Sequence, residues 1–186
     1  MKIVGYHNTE SDNVNVNDII ANGFKYKKSE KHWLGQGIYF FGDSDTAFRN
    51  VDMLNHEKDI KTIVAEIAIE DSQFLDLDKT QKLIEFRSYF NQLYPKIEEE
   101  GIQLVIKGKT KKDSLLIYRC FVLDLFKKEK GYEVVAKTFA KDSPPYAEKV
   151  VGFENYFGLP FLEKYICVSE DKYIINKDVI EREWLV

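Results

Sequence analysis

The chain has 186 residues, 44% of them hydrophobic and 14% aromatic, with 13 Phe and 11 Tyr. This length suits one sizeable core and is short for two, so a single domain over 1–186 is expected, and the aromatic excess points to a core or cleft rich in flat surfaces. The formal charge of −4 argues against a protein that holds nucleic acid by a global positive field, while leaving room for a local basic patch. The cysteines Cys120 and Cys167 cannot build a disulfide framework, and no CxxC or Cys/His cluster suggests a metal site. The chain opens Met-Lys-Ile-Val with no long apolar segment behind it, from which we expect no signal peptide, no membrane span and a reducing, cytoplasmic setting.

In chain order, Lys2 to His7 reads as a strand that ends in the polar run Tyr6-His7-Asn8-Thr9, which places His7 at a strand end. Val16, Ile19 and Ile20 keep helical spacing up to Asn22-Gly23, with glycine where a helix stops. Phe24 follows as an anchor, and Lys25 to Lys31 is a charged, solvated loop. It delivers the chain to Trp33-Leu34-Gly35-Gln36-Gly37-Ile38-Tyr39-Phe40-Phe41. Two glycines directly before an aromatic, β-branched run predict a tight turn entering a strand, with bare backbone beside it that a flat ligand can approach.

Gly42-Asp43-Ser44 supplies a turn and an N-cap for a helix from Asp45 to about His56. Thr62 to Ile69 is the clearest strand, expected to be buried on both faces except at Glu66. Phe74 to Asp78 alternates briefly, and Lys79 to Glu100 carries Leu83, Phe86, Phe90, Leu93 and Ile97 at helical spacing, with an end or kink expected at Pro95. Lys107 to Lys112 is a basic loop before a largely buried helix, Asp113 to Lys128. Gly131 to Ala136 predicts a strand, Asp142 to Pro145 a loop, and Lys164 to Val168 with Lys172 to Ile175 a closing pair. The pattern is α+β, with strands gathered around the glycine-flanked element and a helical insertion near 79–128.

Three stretches in order, Tyr6-His7-Asn8-Thr9, then Ile19 to Phe24, then Leu34-Gly35-Gln36-Gly37-Ile38-Tyr39-Phe40, followed by Ala47 in the next helix, resemble the N-terminal half of the NAD-dependent ADP-ribosyltransferase fold. The likeness is to its diphtheria-toxin and poly(ADP-ribose)-polymerase-like branch, including small bacterial and phage members. That family carries a Tyr-His-Gly-Thr/Ser strand, an Ile-x-x-x-Gly-Phe helix end and a Leu-Gly-x-Gly-Ile-Tyr-Phe strand in this order. Gly131 to Val135 and Tyr165 to Val168 also resemble strands of the small bacterial members. The resemblance implies an α+β ADP-ribosyltransferase-like domain with split antiparallel β-sheets around an NAD cleft.

It also implies a chemistry. Breaking the nicotinamide–ribose bond leaves a cationic, oxocarbenium-like sugar, so a catalyst must grip the ribose, hold the departing ring and place negative charge nearby. By that resemblance His7 bonds ribose hydroxyls, Tyr39 stacks on the nicotinamide ring, the backbone of Asn8 holds its carboxamide, and Thr9 and Gly37 line the site. Asn8 replaces the family's glycine, and its side chain is expected to crowd the pocket. Phe48 is the candidate for the second ring of the nicotinamide sandwich. The stabilising carboxylate of a late strand falls to Glu163, which alternation puts on one face with Tyr165 and Cys167; a shift of one residue would offer Lys164, which cannot do this work, and Tyr165 is the alternative occupant of the position. His32 and His56 read as structural.

The implied activity is mono-ADP-ribosyl transfer, a toxin-like glycosyltransferase reaction that moves ADP-ribose from NAD to a macromolecular acceptor, protein or nucleic acid, and releases nicotinamide. An antitoxin or other regulatory partner fits that picture. The other readings are an NAD glycohydrolase, a catalytically weak or silent NAD/ADP-ribose-binding module, and an interaction protein that keeps only the fold.

Overall fold

A computed structural model describes residues 1–10, 16–53, 59–99, 111–141 and 161–181. Its elements are β1 Lys2–Glu10, α1 Val16–Asn22, β2 Ile38–Phe41, α2 Ser44–Met53, β3 Ile60–Ala68, β4 Phe74–Asp76, α3 Thr80–Glu99, α4 Lys111–Lys130, β5 Val134–Lys141, β6 Phe161–Val168 and β7 Ile174–Ile180. The seven strands form one mixed sheet in the order β4-β5-β6-β2-β1-β3-β7. Only the edge pair β4–β5 runs parallel among them. The class is therefore α+β, as the pattern of the chain predicts, but where the resemblance implies split antiparallel sheets the strands form one continuous sheet with a parallel pair at its edge. His56, most of the basic Lys107–Lys112 loop and the Asp142–Pro145 loop lie outside the described residues.

The alternation of side chains divides the core into two layers, one on each face of the sheet. Ile38, Phe40, Ile63, Ala65, Ile67, Val134, Ala136, Ile166 and Val168 pack on one face with Ile19 of α1 and with Phe24. Val135 and Cys167 pack on the other face with Leu34, Leu75, Tyr89 of α3, and Leu123 and Phe126 of α4. β3 differs from expectation here: Ile63, Ala65 and Ile67 are buried, while Val64, Glu66 and Ala68 are half-buried. Glu66 explains the asymmetry, since it faces Lys2 in an ion pair and accepts from Asn176 on the neighbouring β7. A strand with such a carboxylate on one side cannot be enclosed on both.

Helix α3 continues through Pro95 to Glu99 instead of ending there. Asn91 and Pro95 are exposed, so the carbonyl that loses its donor to the proline ring faces water. Asp43 caps α2, accepting from the Thr46 amide at 2.7 Å and from the Thr46 hydroxyl at 2.8 Å. No helix among the described residues is long and apolar enough to cross a membrane.

One joint of the sheet is unlike the others. β1 pairs with β3 over nine residues, from Lys2–Ala68 to Glu10–Ile60. Between β1 and β2 there is a single registered pair, Tyr6 with Phe41. Beyond that pair no further register is formed, and the Tyr39 carbonyl on the β1 side is bonded by the His7 side chain. Unpaired strand edges inside a sheet must be satisfied by side chains, water or a ligand.

Candidate functional site

The gap between β1 and β2 opens into a cleft of about 510 Å³, within the size range of small-molecule sites. Its lining includes His7 and Thr9 from β1, Gly23 to Lys27 after α1, His32, and Gly37, Ile38 and Tyr39 at the start of β2. The residues that the family resemblance gathers at the N-terminal half, His7, Thr9, Gly37 and Tyr39, thus come together around one opening.

His7 bridges the gap. Its Nδ1 lies 2.7 Å from the Tyr39 carbonyl oxygen, and because a carbonyl only accepts, Nδ1 carries the hydrogen. Burial lowers the His7 pKa below its ordinary value, against the opposing effect of that bond. The neutral ring then presents Nε2 as a lone-pair acceptor, the tautomer fixed by the backbone of the neighbouring strand. Edge contacts with Phe24 and Phe40, at centroid separations of 5.0 and 5.7 Å, hold the ring in place. Phe24 is itself fixed by Asp171, which accepts its amide at 2.7 Å and pairs with Lys177 at 3.3 Å.

Tyr39 points the other way. Its hydroxyl donates to the Gly35 carbonyl at 2.8 Å and accepts the Leu34 amide at 2.6 Å. Burial is the main reason its pKa is pushed far above the ordinary tyrosine value. The phenol therefore pins the turn, and its ring meets His32 at a centroid separation of 5.1 Å. His32 is a cleft residue that the reading of the sequence takes as structural.

The turn itself, Leu34 to Gly37, requires its glycines. Gly35 has φ +82° and Gly37 φ +155°. A Cβ at Gly35 would collide with the Asp124 carboxylate, and one at Gly37 would lie 2.5 Å from the Val168 carbonyl. The close approach that the glycines permit is made by α4 and β6, which fix the floor of the cleft.

Asn8 departs from expectation. Its side chain does not crowd the pocket beside His7; alternation turns it to the opposite face, where it donates to the Ala47 carbonyl at 2.7 Å and to Asn50 at 3.2 Å. It also accepts from Thr62 at 2.9 Å. Asn8 thus anchors α2 to β1. Phe48 is half-buried on α2 and is not part of the cleft lining.

Glu163 and Tyr165 lie together on one face of β6, the Tyr165 hydroxyl donating to Glu163 Oε2 at 2.6 Å. Burial, then the carboxylate itself, raises the Tyr165 pKa above its ordinary value. Around Tyr165 stand Trp33, Phe41 and Phe139 at centroid separations of 5.7, 5.3 and 6.0 Å. By register His7 stands level with Phe40 and Ile166, three residues along β6 from Glu163. Glu163 shares the face of Tyr165 and Cys167, whereas His7 packs with Phe24 and Phe40 on the other face, so the structure does not aim Glu163 at the His7 ring.

A second cleft of about 400 Å³ adjoins the first, with Tyr26 lining both. Gln36, Lys127, Lys128, Glu133, Ser169 and Glu170 contribute to its walls. Glu133 stands immediately before β5, and its carbonyl accepts the Ser169 amide at 2.9 Å. That bond sets Glu133 beside Ser169 just past the pairs Val134–Val168 and Val168–Ile38, in the row that leads to Gly37. In the sequence Glu133 falls inside the expected Gly131 to Ala136 strand, and a carboxylate between a glycine turn and the buried run Val134-Val135-Ala136 is the one local signal that sets it apart. No family model, curated protein or solved structure matches the chain.

Proposed function

We propose that the protein is a mono-ADP-ribosyltransferase that binds NAD in the cleft between β1 and β2 and moves ADP-ribose to a macromolecular acceptor, protein or nucleic acid, releasing nicotinamide. The observation that carries this reading is the parting of β1 from β2 at the His7–Tyr39 bridge, which joins three ordered motifs of the chain at one opening. A neutral imidazole whose free nitrogen accepts suits a ribose hydroxyl donor.

Nicotinamide departure leaves positive charge on the ribose, and a carboxylate held near it would stabilise that charge. Glu133 and Glu163 are the two claimants. Glu133 is a claimant through the second cleft, which meets the first at Tyr26, and Glu163 through the family resemblance. Tyr39 acts through its ring and through the turn that its hydroxyl pins.

The experiment is incubation of the purified protein with NAD labelled in its ADP-ribose part, together with fractionated protein and nucleic acid. Label retained on one fraction is expected. Hydrolysis to free ADP-ribose with no labelled fraction would convert the reading to an NAD glycohydrolase, and saturable binding without turnover would convert it to a silent NAD-binding module.

A further inference from the structure

Helix α4 grips one residue of the glycine turn, Gln36, by its amide and by its carbonyl. Asp124 Oδ1 accepts the Gln36 amide at 2.8 Å, and Lys127 Nζ donates to the Gln36 carbonyl at 2.8 Å. The two side chains pair with each other at 3.6 Å, one helical turn apart. Lys127 is only 6% exposed, and a buried ammonium is costly unless it is paired and hydrogen-bonded. Apolar residues of similar volume would pack the helix at least as well. Packing therefore does not account for a buried lysine that pairs with a half-buried aspartate and, with it, holds one residue of the turn.

The Gln36 side chain extends the grip. Its Oε1 accepts the Ser29 amide at 3.1 Å and its Nε2 donates to the Ser29 carbonyl at 2.5 Å. The charged segment after Phe24 is thereby tied to the same turn. The turn separates the two clefts, with Gly37 lining the first and Gln36 the second. Its conformation decides where the Gly37–Tyr39 wall stands.

We propose that Asp124 and Lys127 are positioning residues for the ligand cleft: by holding Gln36 from α4 they set the wall on which the nicotinamide end of NAD rests. The inference depends on the NAD reading of that cleft and extends it to the helical insertion. Neither residue lines the cleft of His7 and Tyr39; each acts on it through the turn. Their loss displaces the wall and weakens binding, while the sheet and its two cores remain.

The test uses the full chain as wild type, as Lys127→Met, and as Asp124→Asn/Lys127→Met, in which both charges are removed so that neither is left buried alone. Amide hydrogen exchange and calorimetric titration with NAD are measured on each. In both variants the Gln36 and Gly37 amides exchange faster, the β3 amides keep their protection, and the Kd for NAD weakens about ten- to a hundredfold. An unchanged Kd beside a loosened turn overturns the positioning role, and so does unchanged protection of the turn. Wild-type protein that fails to bind NAD overturns the NAD reading itself, a failure visible before any variant is compared.

Discussion

The His7 imidazole donates from Nδ1 to the Tyr39 carbonyl across 2.7 Å, at the place where β1 and β2 stop pairing. This bond replaces a ladder hydrogen bond with a side chain, so the strands stay connected while the cleft between them stays open. It also decides the tautomer, leaving Nε2 as the acceptor on the neutral ring. Structure and proposed chemistry meet in that one bond.

Because burial depresses the His7 pKa, the unfolded chain binds more protons than the folded one below the ordinary histidine range. Stability is then full above about pH 6.5 and falls as the pH drops through that value. Burial lowers His32 in the same direction, so both rings contribute. Chemical denaturation of wild type and His7→Gln at pH 7.5 and 5.5 checks this: the variant loses less stability between the two pH values. An equal loss would mean that the His7 ring does not sit neutral in its edge-on contacts with Phe24 and Phe40.

Tyr39→Phe keeps the ring and removes the hydroxyl. The buried Leu34 amide loses its partner and the Gly35 carbonyl is left with only the weak Cys167 thiol donor, at a cost of about 1–3 kcal/mol. Thermal unfolding reads the loss directly. Nucleotide binding weakens as well, since the same turn forms the cleft floor, whereas Tyr39→Phe with unchanged stability would show that the phenol does not pin it.

The two carboxylates are separated by kinetics. Glu133→Gln lowers the kcat of nicotinamide release by about 10²–10³-fold, the size expected for removing a charge that stabilises the transition state. Glu163→Gln lowers it less, since the Tyr165 hydroxyl can still donate to the amide oxygen and the surrounding rings are untouched. The reverse order would return the role to Glu163.

The elements were readable where period and capping agree. The helical spacing of Val16 to Asn22 before Gly23 and the aromatic run Ile38 to Phe41 after Gly37 appear in the structure at those residues. So does the shared face of Glu163, Tyr165 and Cys167. What was not readable needed the register between distant strands. Nothing local in Tyr6-His7-Asn8 says that His7 and Asn8 take opposite faces toward different helices, one into the cleft and one onto Ala47. The row of Glu133, Ser169 and Gly37 depends on β5, β6 and β2 aligning across about 130 residues of chain, a relationship of topology that no motif carries. The grip of α4 on Gln36 is likewise a tertiary contact spanning about 90 residues.

The measurement that bears most directly on the proposed reaction is nicotinamide release from NAD by the purified protein, with His7→Ala beside the wild type. Steady release that falls by about 10²-fold or more in His7→Ala is the predicted result. No release from the wild type, with no NAD binding in a calorimetric titration, would contradict it.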